Sequence, residues 1–197
     1  MKQRYQVKVH PKGHTSQDHD YTTTQLHLID ASQGDGVVCE VSVTYLTVGK
    51  AVREVELRLR PSFNPEDDIP VGPLLKYILR NPLFPSLSTD DRTSFTIRAS
   101  GQQLLIDNIR QGRIKVSGAR VIKLKNLYLR SLTVVGDGFK RAGQGMVDIL
   151  AEDVCTRELR LQYVDAKIEH LGGRVKWGHI LPTCSKWSYA PETRGES

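Results

Sequence analysis

Apolar and polar side chains alternate along much of the chain. TQLHLID alternates up to a turn at ASQGDG, and GVVCEVSVTYLTV alternates after it. Beyond Gly49-Lys50, AVREVELRLR sets Val52, Val55, Leu57 and Leu59 between charges. Period-two alternation buries one face of a strand and wets the other, so these runs predict a meander of antiparallel strands. RYQVKV reads as an edge strand, SFTIRAS, ELRLQYV and RVKWGHIL as short strands, and ARVIKLKNLYLRSLTVV as the longest. Helical spacing occurs at Leu74, Leu75, Ile78 and Leu79, stopped by Asn81-Pro82. Leu104, Leu105 and Ile109 predict a short helix ending near Gly112. Met146, Ile149, Leu150 and Val154 predict another from about Gln144 to Arg157, and DAKIEHLGG gives at most two helical turns closed by glycine.

The order of elements predicts an α+β or mixed α/β fold. The strand before Gly143, the helix after it and the next strand form a βαβ unit with a right-handed crossover. Residues 1–22 read as a polar extension, 23–182 as the domain and 183–197 as a polar tail that frays. No internal repeat or low-complexity tract is visible.

Composition narrows the classes. With 197 residues, 39% hydrophobic and 25% charged, the chain has the balance of a soluble globular protein. It has no run of the roughly 18 apolar residues that span a bilayer, and its start lacks the apolar region of a secretory signal. Cys39, Cys155 and Cys184 are odd in number and follow no metal spacing, which fits a reducing, cytoplasmic setting. The net charge of +6 suits an anionic partner or cofactor, but the cations are spread along the sequence, as on a solubilising surface. His10, His14 and His19 fit no single helix face, and no neighbouring Cys or further His completes a metal site, so they read as surface histidines.

The stretch FKRAGQGM carries the clearest chemical signal. Gly143 and Gly145 allow a ligand to approach the main chain closely, and Lys140 and Arg141 add positive charge. Before a helix, free N–H groups and the helix dipole favour an anion, phosphate above all. The alternative is a solvated turn whose glycines permit the bend. The nucleotide-hydrolase loop Gly-x4-Gly-Lys-Ser/Thr is absent, and Asp148 stands where a dinucleotide fingerprint needs its third glycine.

LTVVGDGFKRAGQGMVDIL resembles the acyl-coenzyme A loop of the GNAT superfamily of N-acetyltransferases, with Phe139 at the aromatic place, Lys140 at the Gln/Arg place, and Gly143 and Gly145 at the two small-residue places. IEHLGGRVKW resembles that family's closing element, and the likeness covers about residues 125–178. The resemblance implies a central, mostly antiparallel sheet with flanking helices, and acetyl transfer from acetyl-coenzyme A to an amine. Phe139, Lys140, Arg141, Ala142, Gly143, Gln144 and Gly145 would bind the cofactor, the backbone amides from Arg141 to Gly145 holding its pyrophosphate, while Leu132, Thr133, Val134 and Val135 would pair with the pantetheine arm. Ile168 occupies the place of the tyrosine that protonates the thiolate, so either another acid does that job, with Tyr163 and Tyr128 on the two flanking strands as candidates, or catalysis is lost. Strand tyrosines also serve as core residues with a satisfied hydroxyl. The acceptor would be an amine, on a small molecule or on an acidic macromolecule.

A second function fits the same composition: a non-catalytic basic module that binds a nucleic acid or a protein. Against it, aromatic residues make up only 7% of the chain, and no groove-reading helix, zinc site or RNA-binding strand motif is recognisable.

Overall fold

The computed structural model describes residues 4–10, 16–18, 21–33, 36–48, 51–61, 68–80, 94–110, 112–136, 146–183 and 186–190. The meander forms as the alternation predicts. Strands β1 (Tyr5–Val9), β2 (Ser16–Asp18), β3 (Tyr21–Asp30), β4 (Gly36–Val48) and β5 (Ala51–Pro61) pair antiparallel, with β1 and β2 both on β3, β4 on β3 and β5 on β4. Leu26, Leu28, Val41, Val43, Val55 and Leu57 point inward and are fully buried. After the short strand β6 (Asp68–Pro70), α1 (Val71–Arg80) turns Leu74, Leu75 and Ile78 into the core near β1 and β8.

From β5 onward every pairing is parallel, and here the α+β expectation fails. The remaining elements are strands: β7 (Ser94–Arg98), β8 (Gln103–Asp107), β9 (Arg113–Ser117), β10 (Val121–Val135), β11 (Met146–Gln162), β12 (Asp165–Gly172), β13 (Lys176–Thr183) and β14 (Trp187–Ala190). The segments expected as helices, the one with Leu104, Leu105 and Ile109 and those at about 144–157 and 165–173, contain the strands β8, β11 and β12 instead. Among the described residues α1 is the one α-helix, so neither the βαβ crossover nor a sheet with flanking helices is present.

The register shows how the chain winds. Ser94 pairs with Arg113, Arg113 with Ser131, Ser131 with Glu158 and Glu158 with His179. On a second face Gln103 pairs with Val121, Val121 with Asp148 and Asp148 with Lys167. A third, narrower face runs from Arg110 through Tyr128 and Cys155 to Lys176. Each pairing joins a residue to its counterpart one coil later, so this part is a parallel β-solenoid in which each coil rests on the last. β5 belongs to both halves, pairing antiparallel with β4 and parallel with β7.

Packing inside the coils explains the false helices. Ile114, Val116, Ala119, Ile122, Leu124, Leu127, Leu129, Leu132 and Val134 all point inward. They follow steps of two along straight stretches and of three across corners. A step of three mimics the i, i+3 spacing of a helix, although both residues face a solenoid core. In β11 the inward series is Val147, Ile149, Ala151, Val154, Thr156, Leu159 and Leu161. Met146, 58% exposed, lies outside it.

The corners have their own residues. Asn108, Asn126 and Asp153 take left-handed backbone, with φ of 55°, 50° and 52°. Asn and Asp tolerate that region because their short polar side chains bond locally. Asn126 Nδ2 donates to Asn108 Oδ1 at 2.7 Å, and Arg174 N donates to Asp153 Oδ1 at 2.9 Å, so successive corners are tied together. At another corner Gly118 (φ 71°) lies so close to the Ala99 carbonyl that a Cβ would collide with it.

At the far end, β13 and β14 each pair with one strand among the described residues, and Leu171, Leu181, Trp187 and Tyr189 are exposed there. Trp187–Ala190 form a strand in the region expected to fray. No helix among the described residues is long and apolar enough to cross a membrane.

Candidate functional site

The solvent side of the third face collects charge that the sequence disperses. Ile109, Leu127, Leu129 and Val154 point into the core. Strand alternation therefore turns Asn108, Arg110, Asn126, Tyr128, Arg130, Asp153, Cys155 and Arg157 outward. Pairing of Arg110 with Tyr128, Tyr128 with Cys155 and Cys155 with Lys176 sets these side chains in adjacent rows. The pairs Leu129–Thr156 and Ser131–Glu158 bracket Arg130 and Arg157 and place them side by side. Arg174 follows Asp153 at the last corner.

Among the described residues, five cations, Arg110, Arg130, Arg157, Arg174 and Lys176, thus share one face with a single carboxylate, Asp153. One oxygen of that carboxylate accepts the Arg174 amide. Arg110, Arg157, Arg174 and Lys176 form no ion pair among the described residues. The neighbouring face differs, because Lys123 is neutralised by Asp68 at 2.8 Å, Lys125 by Glu152 at 3.0 Å and Lys167 by Glu169. The third face therefore gathers four cations outside any ion pair among the described residues, beside a cleft, while Arg113 and Lys115 stand likewise on the first face.

A cleft of about 480 Å³ opens on this face, lined by Arg110, Asn126, Leu127, Tyr128, Asp153, Cys155 and Arg174. Tyr128 is 51% exposed in it, which presents an aromatic surface among cations. Such a cleft can hold anionic groups on guanidinium forks and stack a planar ring on tyrosine.

The residues expected to hold acetyl-coenzyme A fare differently. Phe139, Lys140, Arg141, Ala142, Gly143, Gln144 and Gly145 lie outside the described residues. The element that begins at Met146 is β11, a strand, so no helix dipole stands behind the loop. The register shows where the segment belongs. Val121 is 18 residues from its partner Gln103 but 27 from its partner Asp148. The longer step is taken between Gly136 and Met146 in the sequence, outside the described residues.

Leu132, Thr133, Val134 and Val135 pair with β9 on one side and β11 on the other, and Leu132 and Val134 are buried. A pantetheine arm would have to displace a ladder to reach their amides. Tyr163 sits at a corner with φ 53°, 58% exposed, and lies outside the lining of the cleft. Ile168 is fully buried inside the solenoid. Tyr128 alone of the named tyrosines lines the cleft.

Sequence reasoning missed the cationic face because its members are 18 to 27 residues apart, and only the coil register unites them. The signal was present in faint form, since the mixed steps of two and three recur from coil to coil. Neither a protein-family model nor a curated protein nor a solved structure matches the chain.

Proposed function

We propose that this protein is a non-catalytic binding module whose third face takes an extended polyanion, with single-stranded nucleic acid as the best-fitting partner. The observation that carries the reading is the row of five cations around an exposed tyrosine. Phosphates are held by Arg and Lys without regard to sequence, and bases stack on aromatic rings. Among the described residues this face carries strands and no helix that could enter a major groove, which favours a single strand over a duplex. Acetyl transfer draws no support from the paired backbone of β10 or from the strand that begins after the glycine loop.

Fluorescence anisotropy with labelled 20-nucleotide single strands and duplexes tests the reading. Arg110→Glu combined with Arg174→Glu should weaken the single strand at least tenfold, by the loss of about two phosphate contacts. Tyr128→Ala should cost roughly 1–3 kcal/mol for the single strand and little for the duplex. Unchanged affinity in both variants removes the face from function. Stronger competition by heparin or polyglutamate than by unlabelled oligonucleotide would keep the face but replace the partner. A thermal shift with acetyl-coenzyme A, and none with the oligonucleotide, would favour acyl transfer.

A further inference from the structure

Away from the solenoid, three side chains with metal-binding atoms meet on the outer face of the meander. His10 follows β1, and its N–H donates to the Gln25 carbonyl at 3.0 Å, which continues the ladder. His27 lies on β3 and pairs across the sheet with Glu40 on β4. Leu26, Leu28, Val41 and Cys39 point to the core, so His27 and Glu40 face away from it. The His10 and His27 rings meet edge to face, with centroids 4.3 Å apart. One donor atom from each of His10, His27 and Glu40 lies within 4.8 Å of the others.

An ordinary cross-strand ion pair does not account for this group. His27 Nε2 is 4.0 Å from Glu40 Oε1, too far for a hydrogen bond. That nitrogen is buried and has no hydrogen-bond partner among the described residues. A polar atom removed from water without a partner is costly, and a ligated cation would satisfy it.

We infer that His10, His27 and Glu40 form a binding site for a divalent first-row transition metal, of which zinc is the first to test. Two imidazoles and a carboxylate are a zinc donor set, and they leave a fourth tetrahedral position for water. Ligand atoms around such an ion lie roughly 3.3–3.5 Å apart, given bonds of about 2.0–2.2 Å. The 4.0 Å between His27 Nε2 and Glu40 Oε1 closes by a shift of the Glu40 side chain, which is 53% exposed and so has room to move. Lys8 and Arg60 stand in register with His27 and Glu40 and remain outside the donor set. The metal would tie the end of β1 to β3 and β4. Its ligands come from three places in the sequence, and His14 and His19, which share the first histidine cluster, lie outside the described residues.

The test uses the full chain, stripped with EDTA and titrated with Zn²⁺ by calorimetry and with Co²⁺ by visible absorption. Wild type should bind one Zn²⁺ per chain. At about 100 times its Kd, the ion should raise Tm by roughly 5–10 °C. Co²⁺ should give the intense visible bands of a tetrahedral site. His10→Ala should abolish saturable binding, and Glu40→Gln should weaken it about tenfold or more. Glu40 is exposed, so its variant keeps the test valid where a histidine variant fails to fold. The double variant His14→Ala/His19→Ala should bind as wild type. Absence of Zn²⁺ binding in wild type overturns the site. So does retention of full affinity in His10→Ala and Glu40→Gln, or a loss confined to the His14/His19 variant.

Discussion

Asn126 occupies a left-handed corner and hands its amide to the Asn108 corner beneath it. An alanine there keeps the unfavourable backbone and loses the bond. Asn126→Ala should therefore destabilise the protein by about 1–2 kcal/mol in urea unfolding, whereas Asn126→Gly, free of the Cβ penalty, should cost less. Equal losses in the two variants would show that the bond, and not the backbone, sets the cost. None of this is legible from the residues alone. An isolated Asn or Asp inside a polar–apolar run looks like any wet-face residue, and its role appears only when the corner above it is known. The same holds for His27, whose partners His10 and Glu40 are set by strand register.

At the scale of elements, the meander was readable and the solenoid was not. In β3, β4 and β5 every second residue is apolar over long stretches, and the pattern has one interpretation. The helix Val71–Arg80 was equally plain, because Leu74, Leu75 and Ile78 recur at true helical spacing before the Asn-Pro stop. In β11 the corner at Asp153 shifts the alternation by one, so Ile149, Leu150 and Val154 imitate a helical face. The candidate site suffered from the same blindness, since Arg110 and Tyr128 became neighbours only through the coil. One element-scale link joins the two halves of the fold. Glu56 on β5 accepts from Arg58 Nε at 2.7 Å and from Arg98 Nε, on β7, at 2.9 Å. Burial raises the Glu56 pKa, but these hydrogen bonds and charges outweigh it and hold the group below its ordinary value of 4.5. A depressed carboxylate stabilises the fold above its unfolded pKa, and that contribution is lost as the pH falls through the folded one. Glu56→Gln should thus cost roughly 0.5–1 kcal/mol at pH 7, and the gap to wild type should narrow as the pH falls below the ordinary value of 4.5 and through the folded pKa. Chemical denaturation at pH 7 and about pH 3.5 checks it, and a gap that stays constant would contradict the ion-pair origin.

The described residues join an antiparallel sheet and one amphipathic helix to a column of parallel coils. Stacking is what converts scattered cations into a surface. Neighbouring strands lie about 4.8 Å apart, so outward residues at equivalent coil positions form a dense row whatever their separation in sequence. On two faces such rows include ion pairs, among them Lys123–Asp68, Lys125–Glu152 and Arg160–Glu158, whereas the third face keeps Arg110, Arg157, Arg174 and Lys176 outside any ion pair among the described residues. The salt dependence of single-strand binding tests this account most directly. Each phosphate contact contributes about −0.7 to the slope of log K against log salt, so the face should give roughly −2 to −3.5. Arg110→Ala and Arg174→Ala should each flatten the slope by about 0.7, while Lys167→Ala, already paired with Glu169, should leave it unchanged. A slope near zero, or one that responds to Lys167 and not to Arg110 and Arg174, would contradict the assignment of this face.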